Sequence, residues 1–326
     1  MIARRSVWSD PAVQELLSSF VTVADEVGRL QRGKDAECRT FQGFCESGHY
    51  GGRTEPTDTR QGIYVVTPCG KFLASINTNS ATKVAEMLRS SLARWSELPE
   101  AERALGEREA RDLQASKRFE DRYPSDGLVL VEYLRDLGRP VEEKDWRTRA
   151  WNTDQVWFTR AEATSLVPKK REVGATISVP ARLVERLARF HLLDSVRGQT
   201  PPMPREAVVE ASLQSEVTGV NGDDVWLLFA GKTRTEVESR SVESADEATK
   251  AGRGVATELR GHARWNTKTG RFDAFELIAM GTRWGATQYN ERKRDLEPTA
   301  IGFAFVLAAP DHPRVAPSCW WDYDLR

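Results

Sequence analysis

The sequence predicts two domains: an α/β domain in the N-terminal third, then an α+β domain with a curved antiparallel β-meander. Three observations carry this. Residues 60–95 read as strand, tight turn, strand and helix; residues 98–121 are dense in Glu, Arg and Ala; and beyond Pro201 the hydrophobic period switches to two. At 326 residues the chain can bury two sizeable cores. We place the domains at 1–97 and 125–326, with 98–124 as a charged helical linker broken by Tyr123-Pro124-Ser125-Asp126-Gly127.

In the first domain, Ser9-Asp10-Pro11 is a helix start, with Asp10 or Ser9 as N-cap, proline at the first helical position, and Val13, Leu16, Leu17 and Phe20 as the apolar face. A strand is expected over 20–24 and a short helix over 37–44. Gly48, Gly51, Gly52 and Pro56 then mark a loop. Ile63, Tyr64, Val65, Val66 and Thr67 form a β-branched and aromatic run, and Pro68-Cys69-Gly70 supplies the turn into a second strand over 71–76. Thr78, Asn79 and Ser80 offer capping oxygens to a helix whose apolar face is Val84, Met87, Leu88, Leu92 and Trp95.

The second domain opens with a strand over 128–134. Residues 146–170 contain a helix around 159–166, stopped by Pro168. Pro180 starts a clearer helix with Leu183, Val184, Leu187, Phe190 and His191 on a broad buried face. Ala207, Val209, Ala211, Leu213 and Val217 then face one way, and Glu210, Ser212, Gln214 and Glu216 the other. Asn221-Gly222 is a hairpin signal, and a strand returns over 225–233. A long, mobile polar loop is expected over 234–253. A second hairpin joins 255–265 to 271–282, and Ile301, Phe303, Phe305 and Leu307 alternate in a last strand. The meander therefore has about five strands plus the one at Leu128.

Net charge of −1 with a pI near 6.5 gives no broad attraction to nucleic acid or anionic lipid, and no apolar run reaches the roughly 20 residues of a membrane span. The start, MIARRSVWSDP, has basic residues but no apolar h-region, so it does not read as a signal peptide as it stands. Four scattered cysteines do not make a disulfide scaffold, and the expected compartment is the cytoplasm. The 10 Trp against 6 Tyr read first as gap-fillers between sheet and loops, and otherwise as an aromatic cleft.

The 60–95 unit, with the helix-then-FVTVAD pattern before it, resembles the thioredoxin-like fold over about residues 7–95. The resemblance implies a Cys-x-x-Cys pair between a first strand and first helix, and a cis-proline before the third strand. Neither is here: no cysteine precedes Ser9, and Gln61-Gly62 takes the proline's place. Either the first strand and dithiol lie upstream of this start, or the chain is a relative without redox chemistry.

Cys38, Cys45 and Cys69 are the redox candidates. With His49 they also have the residue types of a zinc site, but Cys-x6-Cys is wider than the usual structural-zinc spacing, so no metal and no cofactor is assigned. A Cys38–Cys45 disulfide requires that the segment between them not be a straight helix. Lys71 lies near Cys69, where it would favour a thiolate. Glu258, Arg260, His262 and Arg264 share one strand face, which reads as a solvated face ahead of an acid–base row. Arg283, Trp284, Gln288 and Tyr289 leave a strand together beside Gly281 and Gly285, a mix that suits the rim of a ligand pocket, with Arg197-Gly198-Gln199-Thr200 as a candidate neighbour. No Walker loop, nucleophile elbow, dinucleotide fingerprint or HExxH is present. The reading is a thioredoxin-like protein without a complete dithiol site, acting as a binding or interaction module toward an unknown protein or small-molecule partner. The alternative is a thiol–disulfide oxidoreductase using Cys38 and Cys45, or a dithiol encoded upstream.

Overall fold

Pro11–Leu17 forms the first helix (α1) because Asp10 caps it, its carboxylate accepting from the Ala12 and Val13 amides at 2.9 and 3.2 Å. The computed structural model of the chain describes residues 7–25, 27–50, 60–104, 106–114, 118–142, 145–238 and 252–323. It divides into two compact units, Met1–Arg118 and Phe119–Arg326, so the charged 98–124 stretch is shared between them. The predicted Gly51, Gly52 and Pro56 loop lies outside the described residues.

In the first unit α1 is followed by α2 (Val27–Arg32) and α3 (Ala36–Glu46), then by an antiparallel pair, β1 (Ile63–Val66) and β2 (Phe72–Ile76). The turn between the strands needs a left-handed residue, which Gly70 supplies at φ +77°. Ser80 caps α4 (Ala81–Glu97), whose Val84, Ala85 and Leu88 pack with Val65, Leu73, Val13 and Val7. A short helix, α5 (Glu107–Gln114), follows. One expectation fails here. Residues 20–24 are not a strand: Val21 and Val23 are 93% and 74% exposed, and the sheet has two strands among the described residues. Local alternation has no sheet to join, and unpaired extended backbone stays in water.

The second unit holds an antiparallel sheet of eight strands: β3 (Leu128–Asp136), β4 (Trp151–Phe158), β5 (Thr176–Ser178), β6 (Val208–Asn221), β7 (Asp224–Val237), β8 (Arg253–Asn266), β9 (Arg271–Trp284) and β10 (Thr299–Leu307). Their order is β4-β3-β10-β9-β8-β7-β6-β5. Gly222 and Gly270, at φ +57° and +63°, close the two predicted hairpins. One face carries Phe229, Leu259, Leu277, Phe303 and Phe305, and buries them against Leu183, Val184 and Leu187 of α7 (Ala181–Phe190). A short helix, α6 (Arg160–Thr164), adds a capping box between Thr159 and Glu162.

Several details differ from the sequence reading. β4 and β5 enlarge the predicted meander, and the polar stretch is largely strand at its ends, since β7 runs to Val237 and β8 begins at Arg253. The rest of that predicted loop, 239–251, lies outside the described residues. A register shift between Val208 and Glu210 turns Val209 outward, to 62% exposure, away from the face of Leu213.

Candidate functional site

The three redox candidates occupy separate settings. Cys38 and Cys45 are both buried on α3, seven residues apart, which on a helix is about 10 Å of axial rise and beyond the reach of a disulfide. Burial pushes the Cys45 thiol up to about 11, only partly opposed by its bond with Tyr64. Burial also raises Cys38, with help from Asp35, against the pull of Arg29. Such thiols are poor nucleophiles at neutral pH. Cys69 is half-buried in the β1–β2 turn, where its Sγ donates to the Glu102 carbonyl at 3.1 Å and lies 2.9 Å from Thr67 Oγ1. Lys71, expected to favour a thiolate there, is paired with Glu102. None of the four cysteines is in a disulfide.

Arg283, Trp284, Gln288 and Tyr289 do not converge on one pocket. Arg283 is fully buried, its Nε donating to Asp194 at 2.8 Å and its Nη1 to the Asp295 carbonyl at 2.6 Å. Trp284 is half-buried beneath the Arg234 guanidinium, 5.1 Å from the ring centre, while Gln288 is exposed and Tyr289 is 61% exposed. The Arg197–Thr200 segment does come to this loop. Gln199 and Tyr289 form an isolated bridge, with the Gln199 amide donating to the Tyr289 carbonyl at 3.0 Å. Glu258, Arg260 and His262 are exposed, and cross-strand pairs Lys232–Glu258 (3.6 Å) and His262–Glu276 (3.3 Å) mark their face as solvated.

What the sequence reading missed is a set of buried ionic clusters in the second unit: one holds Glu162 against Arg186 at 2.9 Å, and two others bear on function. The first of these two is a clamp. Arg292 donates to both oxygens of Asp136 and of Asp194, and to Asp295 at 2.9 Å; Arg197 donates to Asp136 at 2.7 Å and to Asp295 at 2.9 Å; Arg283 holds Asp194. Arg139 adds a bond to Asp295 at 2.7 Å. The clamp ties the end of β3, the loop after α7 and the β9–β10 loop together. Burial pushes the Asp136 carboxyl up, but Arg292 and Arg197 outweigh it and hold it below the usual carboxylate range. Asp295, also raised by burial, is brought down to about 2 by Arg139, Arg292 and Arg197.

The second cluster is smaller and differently charged. Glu132 of β3 and Asp154 of β4 are direct register partners, so both carboxylates project from one face of the sheet. His191, the residue after α7, places Nδ1 3.0 Å from Glu132 Oε2 and 3.5 Å from Asp154 Oδ2. Its Nε2 lies 2.9 Å from the Tyr323 hydroxyl, which also accepts from the Trp157 amide at 3.2 Å. Asp154 Oδ1 accepts from the Gln155 and Ser318 amides, each at 2.8 Å. Glu132 and His191 are about 1% exposed and Asp154 13%. Burial pushes the Glu132 carboxyl up to about 7, with His191 opposing it. Burial pulls the His191 imidazole down, but Tyr323, Asp154 and Glu132 outweigh it and hold it well above its ordinary value. Among the described residues, these three are the His, Cys, Asp or Glu side chains whose ligand atoms gather within 4.8 Å of one another. The Cys38, Cys45, His49 and Cys69 set does not gather in this way.

No family model matches the chain, and neither curated proteins nor solved structures give a match. Among the described residues no helix is long and apolar enough to cross a membrane.

Proposed function

We propose that this chain is an interaction protein. Its N-terminal unit is a thioredoxin-like scaffold without dithiol chemistry, and its C-terminal unit presents the outer face of the eight-stranded sheet to a protein partner. The observation that carries the reading is that outer face. Tyr133 (44% exposed), Leu228 (44%), Ile278 (51%) and Met280 (59%) project from β3, β7 and β9. Register sets Ile278 in one cross-strand row with Ala230, Arg260, Ala304 and Tyr133, and Met280 in the next with Lys232 and Glu258. Large apolar side chains in neighbouring rows of a sheet, ringed by charges of both signs, have the make-up of an interface with an apolar centre and polar rim.

The scaffold half of the reading rests on the thiols. Two sit two helical turns apart with burial raising both thiols, and the third stands apart in a turn and bonds a carbonyl, which supports a unit without a paired dithiol. Cysteines kept as separate thiols suit the cytoplasm, which is the compartment we assign.

The test is site-specific photo-crosslinking in cells from position 278, with position 173, on an exposed loop, as control. The reading expects one protein species captured at 278 and lost when Leu228→Lys is added, together with no catalysed reduction of a disulfide substrate by the purified chain. Equal capture from both positions, or turnover through Cys38 and Cys45, overturns it.

A further inference from the structure

We propose that Glu132, Asp154 and His191 form a binding site for a divalent transition-metal ion of the zinc class, with two carboxylate oxygens and one imidazole nitrogen as ligands. The geometry is the first support. Zinc sits about 2.0–2.2 Å from such ligand atoms, so tetrahedral neighbours lie roughly 3.3–3.6 Å apart. His191 Nδ1 stands 3.0 and 3.5 Å from the two carboxylate oxygens that face it, and the three ligand atoms all lie within 4.8 Å of one another, near that spacing.

Orientation is the second support. A metal-bound imidazole usually gives its other N–H to a fixed acceptor, and ligating carboxylates are themselves hydrogen-bonded. Here Nε2 lies 2.9 Å from the Tyr323 hydroxyl, which can accept its N–H when Nδ1 is the metal ligand, and Asp154 Oδ1 is held by two backbone amides while Oδ2 turns toward the imidazole. Tyr323 is fixed in turn by the Trp157 amide and by packing with Phe190 and Trp157. The ligands are arranged before any ion arrives, on two paired strands and a helix end.

Charge is the third. Two carboxylates stand side by side in the interior, and among the described residues one imidazole is their cationic partner. A divalent ion takes the place of the Nδ1 proton and of any proton on the Glu132 carboxyl, both of which leave to solvent; the neutral imidazole then donates its lone pair, and the two carboxylate charges are matched by the ion. Mixed nitrogen and oxygen ligands favour zinc-class ions over magnesium or calcium, which prefer oxygen alone. With three protein ligands the fourth tetrahedral position is open.

The experiment uses the full chain, stripped with a chelator and titrated with Co2+, read by visible absorption and by calorimetry. The proposal expects one equivalent bound, d–d bands without thiolate charge-transfer absorption, and displacement by one equivalent of Zn2+. Asp154→Asn and His191→Gln each weaken Co2+ binding by about 100-fold or more, and Tyr323→Phe by about 10-fold. Circular dichroism on each variant separates lost ligation from lost folding. Asp154→Asn, whose amide oxygen still accepts from the two backbone N–H groups, keeps the test alive if His191→Gln does not fold. Failure of the wild-type chain to bind, undiminished binding in folded Asp154→Asn, or thiolate bands that put the ion on cysteine overturns the proposal. None of these outcomes depends on the sheet face that carries the interaction reading.

Discussion

Two buried ionic clusters of the second unit, the arginine clamp and the Glu132–Asp154–His191 set, both hold carboxylates against nitrogen groups and do opposite things with charge. In the clamp, Asp136, Asp194 and Asp295 are met by Arg197, Arg283, Arg292 and Arg139, and each carboxylate bonds at least two guanidinium groups. Such a cluster is closed. Its charges answer one another inside the protein, and its fork-shaped hydrogen bonds fix three chain segments at one end of the sheet. In the other cluster Glu132 and Asp154 share a single imidazole. Saturation marks a structural role, and a shortfall of positive charge marks a place where something else can bind.

This contrast has measurable consequences, of which the largest is in the clamp. Arg292→Met leaves Asp136 and Asp194 buried without their shared partner, and breaking a buried pair in this way costs about 3–5 kcal/mol. Denaturant unfolding measures it; a loss below about 1 kcal/mol would mean that the clamp is not a structural element. Next comes the bridge that the clamp holds down. A Cβ at Gly198 would meet the Tyr289 carbonyl oxygen at 1.8 Å, so Gly198→Ala must push the two segments apart, at about 1–3 kcal/mol. A smaller effect follows from pH. Asp295 titrates at about 2 in the folded chain against 3.8 ordinarily, so its contribution is present above pH 3.8 and is lost as pH falls through about 2. Asp295→Asn should therefore flatten the decline in melting temperature between pH 4 and pH 2. Smallest of all is Asp154→Asn in the metal-free chain. It removes one of two neighbouring carboxylates while keeping the acceptor for the Gln155 and Ser318 amides, so stability changes by less than about 1 kcal/mol. A cost near that of Arg292→Met would erase the distinction between the clusters.

Much of the fold was legible because it is written locally. Asn221-Gly222, Pro180 and the alternation of Val255, Thr257 and Leu259 with Glu258, Arg260 and His262 each state a turn, a helix start or a sheet face within a few residues. The errors have different causes. FVTVAD has a strand's alternation but no neighbouring strand among the described residues, and pairing is not a property of the segment that pairs. Trp151–Phe158 failed in the opposite direction. Asn152 and Asp154 fall on the buried face of β4, where a strand pattern calls for apolar residues, so the segment did not read as a strand. The residue that obscured the element belongs to the site. His191 was readable as a buried-face position, but its partners lie 59 and 37 positions away in sequence, and the clamp joins Asp136 to Arg292 across 156. Hydrogen-bonded contacts at that separation leave no local pattern. The Arg283 and Tyr289 segment stood out for a sound reason, its odd mix of Gly, Arg and aromatic residues, and the structure ties that mix to the clamp and its bridge.

The most direct measurement is the shift in melting temperature on adding Zn2+ to the chelator-stripped chain, beside Asp154→Asn and Asp295→Asn. An ion that binds only the folded state at one hundred times its Kd stabilises by about 2.7 kcal/mol. The account predicts a clear rise in the wild-type chain, the same rise in Asp295→Asn, and at most a small fraction of it in Asp154→Asn. No rise in the wild-type chain, or an undiminished one in Asp154→Asn, contradicts it.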